Sequence, residues 1–138
     1  MGVNAISSGA LDIAISGLRA ERLRMDVIAN NIANVHTRQT GSGKPYRRRE
    51  VVLGTDRSDD LLKGVQVLRI AEDVASPYQK VRAPGDPTAD DDGFVLVSNV
   101  DLPREMADLV VASRSYQANA AVLKRYQESV NTTLELLR

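Results

Sequence analysis

The chain has 138 residues, about one domain's length, and is 43% hydrophobic and 26% charged, yet it holds only four tyrosines, one phenylalanine and no tryptophan. Eighteen basic side chains balance eighteen acidic ones and there is no cysteine. Cysteine zinc sites, disulfides and any global attraction to polyanions or anionic membranes are thereby excluded. No apolar run approaches the ~20 residues of a membrane span, and the first 20 residues lack the basic-then-apolar order of a cleavable secretory signal.

Punctuation divides the chain into three parts. All five prolines lie between Pro45 and Pro103 and the last glycine is Gly93, so residues 1–35 and 102–138 are free to be helical while 36–101 is a loop and small β domain. In the first part Leu11, Leu18, Met25 and Ile32 recur every seven residues, flanked by Ala14, Ile28 and Val35 on one side and by Ile6, Ile13, Ala20 and Val27 on the other. The spacing predicts a helix over about Ser8 to Val35 whose stripe is wider than a two-stranded seam, so it must touch more than one partner helix. Ala10, Gly17, Ala29 and Ala33 would allow close approach. Asn30, Asn31 and Asn34 read as polar positions near the helix end, but a stripe this wide cannot easily leave both Asn31 and Asn34 in solvent.

The middle predicts three strands, at Tyr46 to Leu53, Gly64 to Ala75 and Phe94 to Val97. They are separated by turn-rich stretches such as Thr40-Gly41-Ser42-Gly43 and Pro84-Gly85-Asp86-Pro87. Charge divides this region: 36–63 carries seven basic against four acidic residues, and 64–101 three against seven. With a single Phe, such a core is marginal alone and must lean on the helices or on neighbouring molecules.

The last part carries the strongest periodicity. Leu102, Leu109, Tyr116, Leu123, Val130 and Leu137 recur at an interval of seven, and Met106, Ser113, Ala120, Gln127 and Leu134 fall four residues after the first five. This is a heptad ladder over five repeats, capped by Asp101 with Pro103 in the first turn. At ~1.5 Å per residue the helix is roughly 55 Å long, more than the core of a small domain needs. The expected fold is therefore mainly α with a small β domain, the terminal helices pairing as a coiled coil; an ordinary intramolecular helical hairpin reads the same periodicity.

Candidate chemistry is weak. Gly41-Ser42-Gly43-Lys44 lacks both the earlier glycine and the following Ser or Thr of a phosphate loop, since Arg38 and Pro45 stand there, and reads as a polar turn. Asp90-Asp91-Asp92-Gly93 resembles part of a calcium loop, but Asn99 occupies the place of the bidentate carboxylate, leaving an acidic turn. Arg47-Arg48-Arg49 could grip phosphates; without interleaved aromatic residues, a polar strand or an interface contact is the preferred reading. His36 has no histidine or cysteine partner for a triad or metal site. No catalytic, cofactor or metal residue is assigned, and the alternative function is a cytoplasmic helical-hairpin adaptor or nucleic-acid module built on the arginine run.

The run Ala29-Asn30-Asn31-Ile32-Ala33-Asn34-Val35-His36-Thr37 resembles the N-terminal motif of the bacterial flagellar rod, hook and hook-associated axial proteins. Pro45-Tyr46-Arg47-Arg48, Tyr78, Pro84-Gly85-Asp86-Pro87, Ala89-Asp90, Gly93-Phe94-Val95, Asn99-Val100, Glu105-Met106 and Ala112-Ser113-Arg114-Ser115-Tyr116-Gln117-Ala118-Asn119 extend the likeness, which is nearest to the short proximal-rod members. Asp86, Phe94 and Ser98 stand where that family often has His, Tyr and Pro. The resemblance implies a non-enzymatic structural subunit, exported without a cleaved signal peptide and assembled into the periplasmic rod of the basal body around the export channel. Implied partners are like subunits, neighbouring rod proteins, the basal-body adaptor and the type III export apparatus, with no nucleic acid and no membrane insertion. The implied subunit-interface residues are Leu11, Leu18, Met25, Asn31, Ile32, Asn34, Met106, Leu109, Tyr116, Asn119, Leu123, Val130 and Leu137.

Overall fold

A computed structural model describes residues 3–58 and 61–137, with side chains over 9–55 and 64–137, so Ile6 lies outside the described side chains. Two long helices, α1 (Val3–Ala33) and α2 (Leu102–Leu136), bracket four strands. Asn31 meets Glu105, and Gly17 meets Asn119, so the helices run antiparallel. The α2 start is as expected: Asp101 is extended and its carboxylate accepts from Arg104 N–H at 3.3 Å, with proline in the first turn. Helix α1 begins earlier than the stripe predicted and stops at Ala33, where Asn34–His36 form a turn.

Strands β1 (Arg49–Ser58) and β2 (Leu61–Glu72) form an antiparallel ribbon, paired from Arg49↔Glu72 to Ser58↔Leu61. Its register shifts between Val52 and Leu53 and again between Asp56 and Arg57; such irregularities increase the twist of a two-stranded ribbon. The ribbon runs back along α1. At one end Arg49 N–H donates to Asn31, and at the other Val65 N–H donates to Ser16 Oγ at 3.0 Å. Within the chain the wide α1 stripe packs on one helix and one β ribbon, which leaves Ile13 42% exposed and Leu11, Leu18, Met25 and Ile32 half-buried. The small residues Ala14, Gly17 and Ala20 are buried with Val27 and Ile28, whereas Ala10, Ala29 and Ala33 remain exposed.

Strands β3 (Gln79–Arg82) and β4 (Phe94–Val97) pair separately, Gln79 opposite Val97 and Arg82 opposite Phe94. β3 was not anticipated: Gln79-Lys80-Val81-Arg82 is wholly exposed and carries almost no apolar signal. The first ribbon strand starts at Arg49 instead of Tyr46, because Tyr46 N–H donates to the Thr37 carbonyl and Arg48 N–H to Asn99 instead of the ladder, and the second runs Leu61–Glu72 instead of Gly64 to Ala75. Among the described residues this second sheet touches no other helix or strand; loops hold it, around a core of Pro45, Val95, Ser98 and Val100.

The helix pair keeps part of the expected ladder. Leu109, Tyr116 and Leu123 are half-buried, and so are Ser113 and Ala120, whereas Met106 is 57% exposed and Gln127 and Leu134 lie outside. Glu105, Ala112, Asn119 and Tyr126, each three residues after an interval-seven residue, are also covered, so the seam is turned toward them. The reason is steric and polar at once. Ala112 is fully buried, and Asn119 packs on Gly17 so closely that a Cβ there would sit 2.7 Å from its Nδ2.

Two glycine substitutions separate contact from propensity. Gly64 has φ +116° and an added Cβ would lie 2.1 Å from Ser16 Oγ, whereas nothing lies within 4 Å of a Cβ on Gly9. Gly9→Ala is expected to stabilise by about 1 kcal/mol through helix propensity, and Gly64→Ala to destabilise by about 1–3 kcal/mol through backbone strain and the clash. Urea unfolding checks both; equal effects would place the ribbon off Ser16.

Candidate functional site

The polar interior lies where α1, the 45–49 segment, the 98–101 segment and α2 converge. Asn31 and Glu105 have no exposed surface. Asn31 uses its full hydrogen-bonding capacity. Its Nδ2 donates to Arg49 carbonyl at 2.8 Å and to Glu105 Oε2 at 3.0 Å, while its Oδ1 accepts from Tyr46 OH at 3.0 Å and Arg49 N–H at 2.9 Å. The other Glu105 oxygen accepts from Arg48 Nε at 2.6 Å.

Arg48 continues the network outward to Glu50 at 3.2 Å and Asp108 at 3.8 Å. Burial alone would lower the Arg48 pKa, but the hydrogen bond and charge of Glu105 outweigh it and raise it. Burial likewise raises Tyr46, against the opposing charge of Arg49, so its phenol stays a donor to Asn31. Arg48 N–H donates to Asn99 Oδ1 at 2.7 Å, and Asn99 Nδ2 donates to the Asp73 and Ser76 carbonyls at 3.1 and 3.2 Å. Arg47 Nη1 reaches the same two carbonyls, and its guanidinium stacks 4.2 Å from the Tyr78 ring centroid. All three arginines of the run are thus committed inside the chain, Arg49 to Glu72 at 3.5 Å and over Tyr46.

The other motifs are local structure. Thr40 N–H and Oγ1 both donate to the Lys44 carbonyl, closing the glycine-rich turn on itself. Asp90 accepts from Phe94 N–H at 2.7 Å and starts β4, while Asp86 accepts from Thr88 and pairs with Arg38. His36 is exposed.

Of the expected interface residues, Asn31 is spent within the chain, and Asn34 bonds Asn30 and Thr37. Asn119 covers Gly17. Leu109, Tyr116 and Leu123 are half-buried in the helix seam, and Leu11, Leu18, Met25 and Ile32 are half-buried on α1. Met106, Val130 and Leu137 are exposed, at 57%, 40% and 80%. Sequence reasoning missed Glu105, Arg48, Tyr46 and Asn99 as a cluster. The heptad pattern gave no signal for Glu105, because the ladder read from the sequence assigns the inner place after Leu102 to Met106 and leaves Glu105 beside it.

Two family models match the chain, "Flagella basal body rod protein" over residues 11–38 and "Flagellar basal body rod FlgEFG protein C-terminal" over 91–136. Curated relatives include "Flagellar basal-body rod protein FlgC" of Salmonella typhimurium, 40% identical over 91% of this chain and 93% of the relative. Those of Borreliella burgdorferi and Agrobacterium fabrum are 35% and 36% identical, covering 94% and 95% of this chain and 96% and 95% of the relatives.

Glu105→Ala strands a buried guanidinium and is expected to cost about 3–5 kcal/mol, with Glu105→Gln milder because it still accepts from Arg48; denaturant unfolding of both variants tests the order. A second expectation concerns acid. The Ser76 N–H and hydroxyl hold Asp73 below the usual 3.8. Its folded pKa is depressed, so its contribution is present above 3.8 and is lost as pH falls through the lower folded value. Asp73→Asn should flatten that part of the acid unfolding curve; an unchanged curve would show that Asp73 contributes nothing there.

Proposed function

This chain belongs to the flagellar basal-body rod protein family and is a structural subunit of that rod, and we propose that it is built in through its two terminal helices. The observation that carries the proposal is the distribution of apolar surface. Helix α2 reaches roughly 52 Å at ~1.5 Å per residue, and its far end exposes Val130, Leu134, Leu136 and Leu137, the last two about 80%. Isolated surfaces of this kind call for neighbours.

In this reading, subunits in a heterologous, non-closing arrangement form a tube around the export channel. Met106, Val130 and Leu137 face other subunits, Leu109, Tyr116 and Leu123 hold the pair inside one subunit, and the role is mechanical, with no catalysis. The subunit's proposed place is the periplasmic part of the basal body, with like subunits, other rod proteins and the adaptor as neighbours and the type III apparatus as its exit route. A nucleic-acid role for Arg47-Arg48-Arg49 is disfavoured, because those side chains are already paired.

Folding is coupled to assembly at the helix ends, which gain full cover only from neighbours. Hydrogen exchange on the purified monomer should show strong protection around Asn31 and Glu105 and weak protection toward Leu137. Uniform protection along both helices would defeat the coupling. For the role itself, a deletion strain should lose motility and regain it with the intact gene, and the chain should co-purify with basal bodies; its absence from them would overturn the reading.

A further inference from the structure

The glycine-rich turn and the arginine run, each too weak by itself for a phosphate site, line one cavity. The turn brings Lys44, and the run brings Arg47 and Arg49, to a hollow of about 440 Å³ whose other wall is Glu72, Val74 and Tyr78. Thr40 closes the turn on the Lys44 carbonyl, and Gly43 takes φ +76° within it, so the backbone of Lys44 is fixed at the rim. Arg48, between the other two arginines, is spent on Glu105 instead.

Three cations face one carboxylate in this cavity. The Lys44 ammonium makes no ion pair or hydrogen bond among the described residues. Both hydrogen bonds of the Arg47 guanidinium leave from Nη1 and end on the Asp73 and Ser76 carbonyls, which hold the side chain without cancelling its charge. Its Nε and Nη2 donors are left over. Only Arg49 meets a carboxylate, Glu72 at 3.5 Å, and both side chains are half exposed, where such a pair is worth little. The Asp73 carboxylate accepts from Ser76 N–H and hydroxyl and does not line the cavity. Arg47 is also stacked 4.2 Å from the Tyr78 ring centroid, so an anion that meets it immobilises little that is not already fixed.

Size and lining say what kind of anion fits. A water molecule's share of volume is ~30 Å³, so a bare phosphate fills little of this space, which has the dimensions of an organic ligand site. Pro45, Val74 and Tyr78 give it apolar walls, while exposed Ser42 and Glu72 offer oxygens that accept from hydroxyl groups. We propose that the cavity binds a sugar-sized ring carrying an anionic group, a sugar acid or a sugar phosphate. The carboxylate or phosphate meets Arg47 and Lys44, and the ring lies along Pro45, Val74 and Tyr78 with its hydroxyls toward Ser42 and Glu72. The site goes beyond the rod reading and does not depend on it.

The test is titration of the purified full chain at low salt, followed through its backbone amide NMR signals, with four probes: glucuronate, glucose 6-phosphate, neutral glucose and inorganic phosphate. The expected result is saturable shifts at residues 40–49 and 72–78 with at least one of the two sugar anions, at least about tenfold tighter than with glucose or inorganic phosphate. Which sugar anion binds tells whether carboxylate or phosphate is the preferred group. Lys44→Glu, at an exposed side chain that holds nothing in place, should weaken binding at least about tenfold, and Glu72→Gln, which frees Arg49, should tighten it. The inference is overturned by the absence of saturable shifts with both sugar anions, by shifts confined to other residues, or by glucose or inorganic phosphate binding as tightly. Unchanged affinity in either variant overturns it as well.

Discussion

Glu105 sits on a long helix with no exposed surface, and its two oxygens are held by residues from distant parts of the chain, Arg48 and Asn31. A carboxylate taken out of water carries a desolvation cost of several kcal/mol that only a well-made ion pair and hydrogen bonds offset. Every segment that supplies those partners is therefore tied to one geometry. Asn31 holds the end of α1 and, through Arg49, the start of β1; Arg48 reaches Asn99, and Asn99 reaches the carbonyls that anchor the β3–β4 unit. The network adds a constraint that apolar packing lacks, because a one-turn slip of the helices would leave the carboxylate unpaired.

That constraint acts together with the helix seam. Leu109, Tyr116 and Leu123 are half-buried in it, Ala112 is buried, and Gly17 admits Asn119 so closely that an added Cβ would clash. Polar groups in otherwise apolar seams are known to select one register at some cost in stability. Here the selected register turns Met106 outward and leaves Val111 and Arg125 exposed. A subunit of a rod needs both an internal pairing that does not shift and an external surface left free, and one buried carboxylate serves both.

Much of the architecture was legible before any coordinates. Interval-seven leucines marked both helices, Asp101 and Pro103 marked the α2 start, and the crowding of prolines and glycines between Pro45 and Pro103 marked the non-helical middle. The β3 strand was not legible, since Gln79-Lys80-Val81-Arg82 is polar and exposed and gains its strand form only by pairing with β4. The ribbon's place on α1 was not legible either: it depends on Ser16 meeting the Gly64–Val65 backbone, a contact between residues almost fifty positions apart. The candidate site was half visible. Asn31 stood out as a polar residue on an apolar stripe, but Tyr46, Arg48 and Asn99 read as strand or loop residues because nothing local requires them inside.

The sequence by itself determined the three-part organisation, the presence of two long terminal helices and the cap of the second, the absence of thiol chemistry and, through its motifs, the likeness to flagellar axial proteins. These follow from local period, local turn chemistry and composition, which act within a few residues. Only the tertiary structure decided the register of the helix pair, the partner on the second flank of α1 and the fate of the arginine run. Each of those turns on whether a polar group finds its complement at a distant position, and spacing along the chain carries no record of that. The even balance of charges looked featureless as a sum; folding spends part of it on a neutralised interior where Arg48 pairs with Glu105.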